Sequence, residues 1–234
     1  MKILHYYYDI MNLYGDRGNV IVLERLIRES GSDCEVCKKS FGDSVDFSDY
    51  DFIFIGSGTE QNQKRVLADF KDSADSLREY IESSKPALFT GNSFEMLGKT
   101  ITDCDGREYE GLGIFDFTTR EQNKTRMTAD AVFESEFLSK PLVGFVNKCS
   151  EIFGVNSPAF TVKRGLGDNT EAKTEGIREN NFIGTHLTGP VLVKNPHLAE
   201  FFAEIILGKK SNTDCLELAK RGYDVTLSEL TAQE

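Results

Sequence analysis

Pro86-Ala87-Leu88-Phe89-Thr90-Gly91-Asn92-Ser93-Phe94-Glu95-Met96-Leu97-Gly98 reads as a short buried strand, 87–90, that breaks at a small residue and turns into a helix at about 93–99. This is the geometry of a nucleophile elbow. A strained turn lifts one side chain above the carboxyl edge of a sheet, and the amides of the following helix face the same space. The apex here is Gly91, which accepts the strained backbone but carries no reactive group. Read alone, the segment fits better an ordinary strand-to-helix turn of an α/β sheet.

The sequence on the N-terminal side decides in favour of such a sheet. The β-branched and aromatic run 3–8 predicts a strand. After the turn-rich Asn12-Leu13-Tyr14-Gly15-Asp16-Arg17-Gly18-Asn19, the positions Val20, Leu23, Leu26 and Ile27 repeat at helical spacing. Strands follow at 34–37 and 51–55, and Val66, Phe70, Leu77 and Ile81 predict one long helix ending before Pro86. The alternation implies a flavodoxin-like, doubly wound parallel sheet. Beyond residue 100 the pattern changes. Strand-like runs at 112–117, 126–134, 142–147, 159–163 and 182–187 are separated by turn signals, which predicts an antiparallel extension. A helix is expected over 196–207. One domain, 1–222, accounts for the chain, with an acidic tail 223–234 expected to fray.

Composition narrows the function classes. Of 234 residues, 27 are Lys or Arg and 38 Asp or Glu, a formal charge of −11. That balance disfavours nucleic acid and anionic membrane surfaces, both of which are gripped by Lys and Arg. No apolar run approaches the roughly 20 residues that span a bilayer, and the strand-like start lacks a signal-peptide core. Five cysteines, an odd number in a chain of this length, argue against a disulfide scaffold, so a cytoplasmic protein is expected.

Several side chains could carry chemistry. Gly56-Ser57-Gly58 follows a strand and opens a helix, so its amides could face an anion, although such a loop is also a common tight turn. His186 and Thr188 lie two apart and share one side of their strand. His186 could serve as a base or as hydrogen-bonded scaffolding. Cys34 and Cys37 have ligand-like spacing but no second pair nearby, and neither His5 nor His197 has a metal-like neighbour, so no metal and no cofactor are expected. Nothing in the sequence activates Cys104, Cys149 or Cys215.

Taken together, these segments resemble the class I glutamine amidotransferases, in the CobB/CobQ-like branch that includes the GatD-type glutaminase subunits. The resemblance runs from the 12–19 segment to Gly184-Thr185-His186-Leu187-Thr188-Gly189-Pro190. Between them lie Gly111-Leu112-Gly113-Ile114-Phe115-Asp116-Phe117, Val143-Gly144-Phe145, Gly165-Leu166-Gly167-Asp168-Asn169 and Glu175-Gly176-Ile177. In that family a Cys at the elbow attacks the side-chain amide of glutamine, a late His is its base, and ammonia passes to a synthetase partner. The resemblance puts Gly91 at the Cys position, Thr188 at the His position, and Glu95 where Gln is usual. It gives Arg126, in Lys124-Thr125-Arg126-Met127-Thr128, the role of gripping the substrate carboxylate, and Gly56, Ser57, Gly58 and Asn92 places around the substrate. Ser57 replaces a glycine, and Lys148-Cys149-Ser150 replaces a segment often containing His, Gly and Arg.

The expectation is therefore an amidotransferase-type subunit without glutaminase activity, paired as a heterodimer with a Mur-ligase-like, MurT-type synthetase in lipid II amidation. Loss of either member of a Cys–His pair abolishes the pair's function, by on the order of 10⁶ in a comparable triad. Two other readings stand beside it. One is an active amidotransferase with a displaced nucleophile at Cys149, Ser93 or Thr90. The other is a cobyric-acid-synthase-like or small-carboxylate-binding module that takes glutamine or a related acid on Arg126.

Overall fold

The computed structural model describes residues 1–122 and 126–232. Among them the parallel strands are β1 (Lys2–Tyr6), β2 (Glu35–Lys39), β3 (Phe52–Ile55) and β4 (Ala87–Thr90). They are followed by β5 (Thr100–Thr102), β6 (Glu108–Glu110), β7 (Thr118–Glu121), β8 (Met127–Glu134), β9 (Leu142–Lys148) and β10 (Ser150–Phe153). Last come β11 (Pro158–Arg164), β12 (Thr174–Glu179), β13 (Phe182–Thr185) and β14 (Leu187–Thr188). The helices are α1 (Arg17–Glu29), α2 (Glu60–Phe70), α3 (Ala74–Glu82), α4 (Val191–Lys194), α5 (Pro196–Leu207) and α6 (Glu217–Thr231).

The main sheet runs β14-β9-β8-β11-β12-β13-β4-β3-β1-β2. From β2 to β13 its pairs are parallel, and from β13 to β14 they are antiparallel. A smaller sheet, β10-β7-β5-β6, stands beside it. Alternation along the central strands explains the two cores. Leu4, Ile53, Ile55 and Phe89 face α2 and α3, whereas Ile3, Phe52, Phe54 and Leu88 face α1 and α5. The Phe52 and Phe202 rings meet edge-on at 5.1 Å.

Four local expectations are corrected. The helix expected at 93–99 is a 3₁₀ turn over Gly91–Leu97. Its side chains bond back to neighbouring strands instead of leaving the backbone to an α-helix: the Ser93 hydroxyl reaches Thr90 O (2.8 Å) and Ile55 O (3.1 Å). The apolar run 112–117 is no strand, because its amides bond to that turn, Leu112 to Met96 O and Ile114 to Leu97 O, both within 2.9 Å. Gly111 permits the approach, since a Cβ there would overlap the Gly98 carbonyl. The single long helix over 66–81 is split by a 3₁₀ turn at Lys71–Ser73, with Val66, Phe70, Leu77 and Ile81 still in one core.

The tail from 223, expected to fray, is helical as far as Thr231; residues 233–234 lie outside the described part. α6 seats Tyr223 and Leu230 on Val132 and Val143 of β8 and β9, and the Tyr223 hydroxyl donates to Pro141 O at 2.8 Å. Among the described residues no helix is long and apolar enough to cross a membrane.

Candidate functional site

The carboxyl ends of β3, β4 and β13 converge on one pocket. Its wall includes Ser57, Gly91, Asn92, Arg126, Cys149 and Thr188, with about 20 Å³ of open space, room for a single water. Gly91 sits at the apex with φ +61°, the left-handed backbone that glycine tolerates without strain. The seat its side chain would take is filled. A Cβ on Gly91 would overlap the Ser57 hydroxyl and lie 2.8 Å from Ser57 Cβ. Ser57 Oγ itself donates to Thr90 O at 3.3 Å. Thr188, across the pocket, donates its hydroxyl to Phe145 O at 2.9 Å.

The loop amides are also committed. Ser57 N–H donates to the Asp16 carboxylate (3.0 Å), and Gly58 N–H donates to Asn92 Oδ1 (3.0 Å), whose amide returns a bond to Gly58 O. Gly56 lies behind the pocket, and a Cβ there would press on Asp16 at under 3 Å. Asp16 is fully buried, and desolvation, only partly offset by its backbone bonds to Ser57 and Tyr14, lifts its pKa to about 6. It anchors the loop, although its place in a turn-rich segment gave no sign of this.

Arg126 stands at the mouth; its neighbours Lys124 and Thr125 lie outside the described residues. Its guanidinium donates to Glu60 Oε1 (2.7 Å), Asn147 Oδ1 (2.7 Å) and Asn147 O (3.3 Å), so each nitrogen is engaged. Burial pushes the Glu60 carboxyl up, but bonds from Cys149 and Arg126 outweigh it and leave the pKa below the usual value. Glu60 was not singled out in the sequence. The signal available was a carboxylate on the first turn of α2, directly after the Thr59 cap.

The inner wall of the pocket is a buried polar cluster that includes Glu95, Lys148, Ser150 and His186. His186 Nε2 is 3.0 Å from Glu95 Oε1 and its Nδ1 is 3.4 Å from Glu175 Oε1, with all three side chains at most 2% exposed. Glu95 also accepts from Gln63 (2.8 Å) and from the Ser150 hydroxyl, and Glu175 accepts from His186 N–H and Thr185. Lys148 turns inward and donates to Gly167 O (2.6 Å) and Asp168 O (2.8 Å). Burial and Lys148 push the His186 pKa down, but Glu175 and Glu95 outweigh them and raise it. Desolvation, then the nearby Glu175, raises Asp168 to about 7. Asp168, Glu175 and His186 place ligand atoms within 4.8 Å of one another. His186 thus faces carboxylates from two sides.

The side chains considered as displaced nucleophiles are poorly placed to ionise or attack. Desolvation, then Glu60, pushes the Cys149 thiol up to about 12, and its Sγ donates to Glu60 at 3.1 Å. Ser93 points into the strands, and Thr90 is fully buried.

A sheet between two helical layers, with an elbow turn, a glycine loop and a late strand meeting at its carboxyl edge, is the architecture of the class I glutamine amidotransferase fold. The chain belongs to the CobB/CobQ-like glutamine amidotransferase family, whose domain it matches over residues 2–196. It is 34% identical over 204 residues to a GatD subunit of lipid II isoglutaminyl synthase (glutamine-hydrolyzing) from Staphylococcus aureus, covering 87% of this chain and 83% of that one. A Streptococcus pneumoniae GatD subunit is 29% identical over 236 residues, covering 100% of this chain and 90% of its own. Among solved structures, PurLQS from Thermotoga maritima superposes with a TM-score of 0.58 at 13% identity, over 88% of this chain and 97% of that chain, a likeness of fold.

Proposed function

We propose that this chain is a GatD-type subunit that works with a Mur-ligase-like synthetase in amidation of a peptidoglycan precursor, and that it does so without hydrolysing glutamine. The observation that carries the reading is Gly91: the elbow has no side chain, and Ser57 fills the space beside it. Thr188, bonded to Phe145 O, offers no imidazole to a nucleophile. The overall identity to GatD subunits supports the pairing with a synthetase. On this reading the chain works in the cytoplasm, holds its partner in an active shape, and leaves the partner to take free ammonia.

The test is ammonia release from L-glutamine by the purified chain, alone and co-purified with its synthetase. No release above the buffer blank is expected, while the pair remains active with ammonium chloride. Glutamine-dependent ammonia release would overturn the reading.

A further inference from the structure

Two residues that fill the pocket, Ser57 and Glu60, come from one short loop. Ser57 and Glu60 are three apart across the β3–α2 turn, where Thr59 caps the helix by accepting from Asn62 N–H at 3.1 Å. Ser57 places a hydroxyl where a side chain on Gly91 would stand. Glu60 places a carboxylate on the Arg126 fork at 2.7 Å, with Asn147 taking the remaining nitrogens. A guanidinium at a pocket mouth is the group that takes an amino acid's carboxylate, and here it already holds one. What remains is about 20 Å³, room for a single water and far less than the ten heavy atoms of glutamine need.

We infer that residues 57–60 are an internal occupant that sets specificity: Glu60 stands in for a ligand carboxylate on Arg126, Ser57 fills the far end, and free glutamine and glutamate are thereby excluded. The inference rests on the proposed non-hydrolytic role and explains how such a subunit avoids holding glutamine unproductively. Glu60 and Arg126 side chains are 31% and 42% exposed, so the latch is a modest one. An ion pair this open is worth up to about 1 kcal/mol, or about fivefold in affinity.

The experiment titrates L-glutamine and L-glutamate calorimetrically into the full chain, as wild type, Glu60→Gln, Ser57→Gly and the double variant, and follows ammonia in the same samples. The wild type should show no binding at millimolar ligand. Glu60→Gln should bind about fivefold more tightly than the wild-type limit, the double variant more tightly still, and Arg126→Ala in the double background should lose the gain. If the double variant does not fold, Glu60→Gln, a change at a half-exposed side chain, decides alone. Wild-type binding as tight as that of the opened variants, or no binding by a folded Glu60→Gln protein, would overturn the inference. Wild-type binding that tight, without ammonia, would sink the inference and leave the proposed function standing. Ammonia from the wild type, with tighter binding by the opened variants, would sink the proposed function and leave the occupant intact.

Discussion

At Gly91 one atom separates a passive turn from a crowded one. Gly91→Cys forces a side chain onto a left-handed backbone and into Ser57, so it should lower stability by about 1–3 kcal/mol without producing ammonia from glutamine. Thermal melts and an ammonia assay check both halves. The neighbouring thiol gives a second prediction. With Cys149 pushed up to about 12, a glutamine-analogue electrophile at neutral pH should leave it unmodified; a mass increment on Cys149, Ser93 or Thr90 would revive the displaced nucleophile. At this scale local patterns, a strand-to-helix turn and a late strand, drew attention to Gly91 and Thr188, both of which line the pocket. The sequence was silent about Ser57 against Gly91 and Glu60 against Arg126. Those partners are 34 and 66 positions apart and meet only once the folded sheet brings the ends of β3 and β4 and the start of β8 around one pocket.

At the scale of elements, periodicity found the parallel strands, α1 and α5, since each buries a regular face. It failed where side chains or glycines reroute the backbone. Ser93 and Asn92 draw the expected helix into a 3₁₀ turn, and the apolar 112–117 segment spends its amides on that turn instead of a ladder. The acidic composition of the tail hid α6, whose buried positions are only Tyr223 and Leu230. Small as that contact is, it covers Val132 and Val143. Leu230→Ala should therefore cost about 2 kcal/mol, toward the low end for a buried leucine near an edge, measured by urea unfolding. An unchanged midpoint would mean that α6 contributes nothing to the folded domain.

For the whole molecule, buried titrating groups set the pH response. Asp16 and Asp168, raised by burial to about 6 and 7, stabilise most when protonated and lose that contribution as pH climbs from about 4. His5 and His197, lowered by burial to about 4, act in the opposite sense and lose theirs as pH falls below 6.5. The two effects offset each other between about pH 4 and 6, giving a plateau. The raised His186, held between two carboxylates, contributes stability that is lost as pH climbs above 6.5, so the melting temperature should fall on that side. In His186→Gln that decline should flatten; a slope equal to wild type would remove His186 from the account. The filled pocket also ties two positions together. A side chain at 91 and the hydroxyl of Ser57 contend for one seat, so what either position can hold depends on the other. Gly91 and Ser57 therefore act as a two-residue lock, and a side chain at 91 sits without strain against its neighbour only if residue 57 gives way as well.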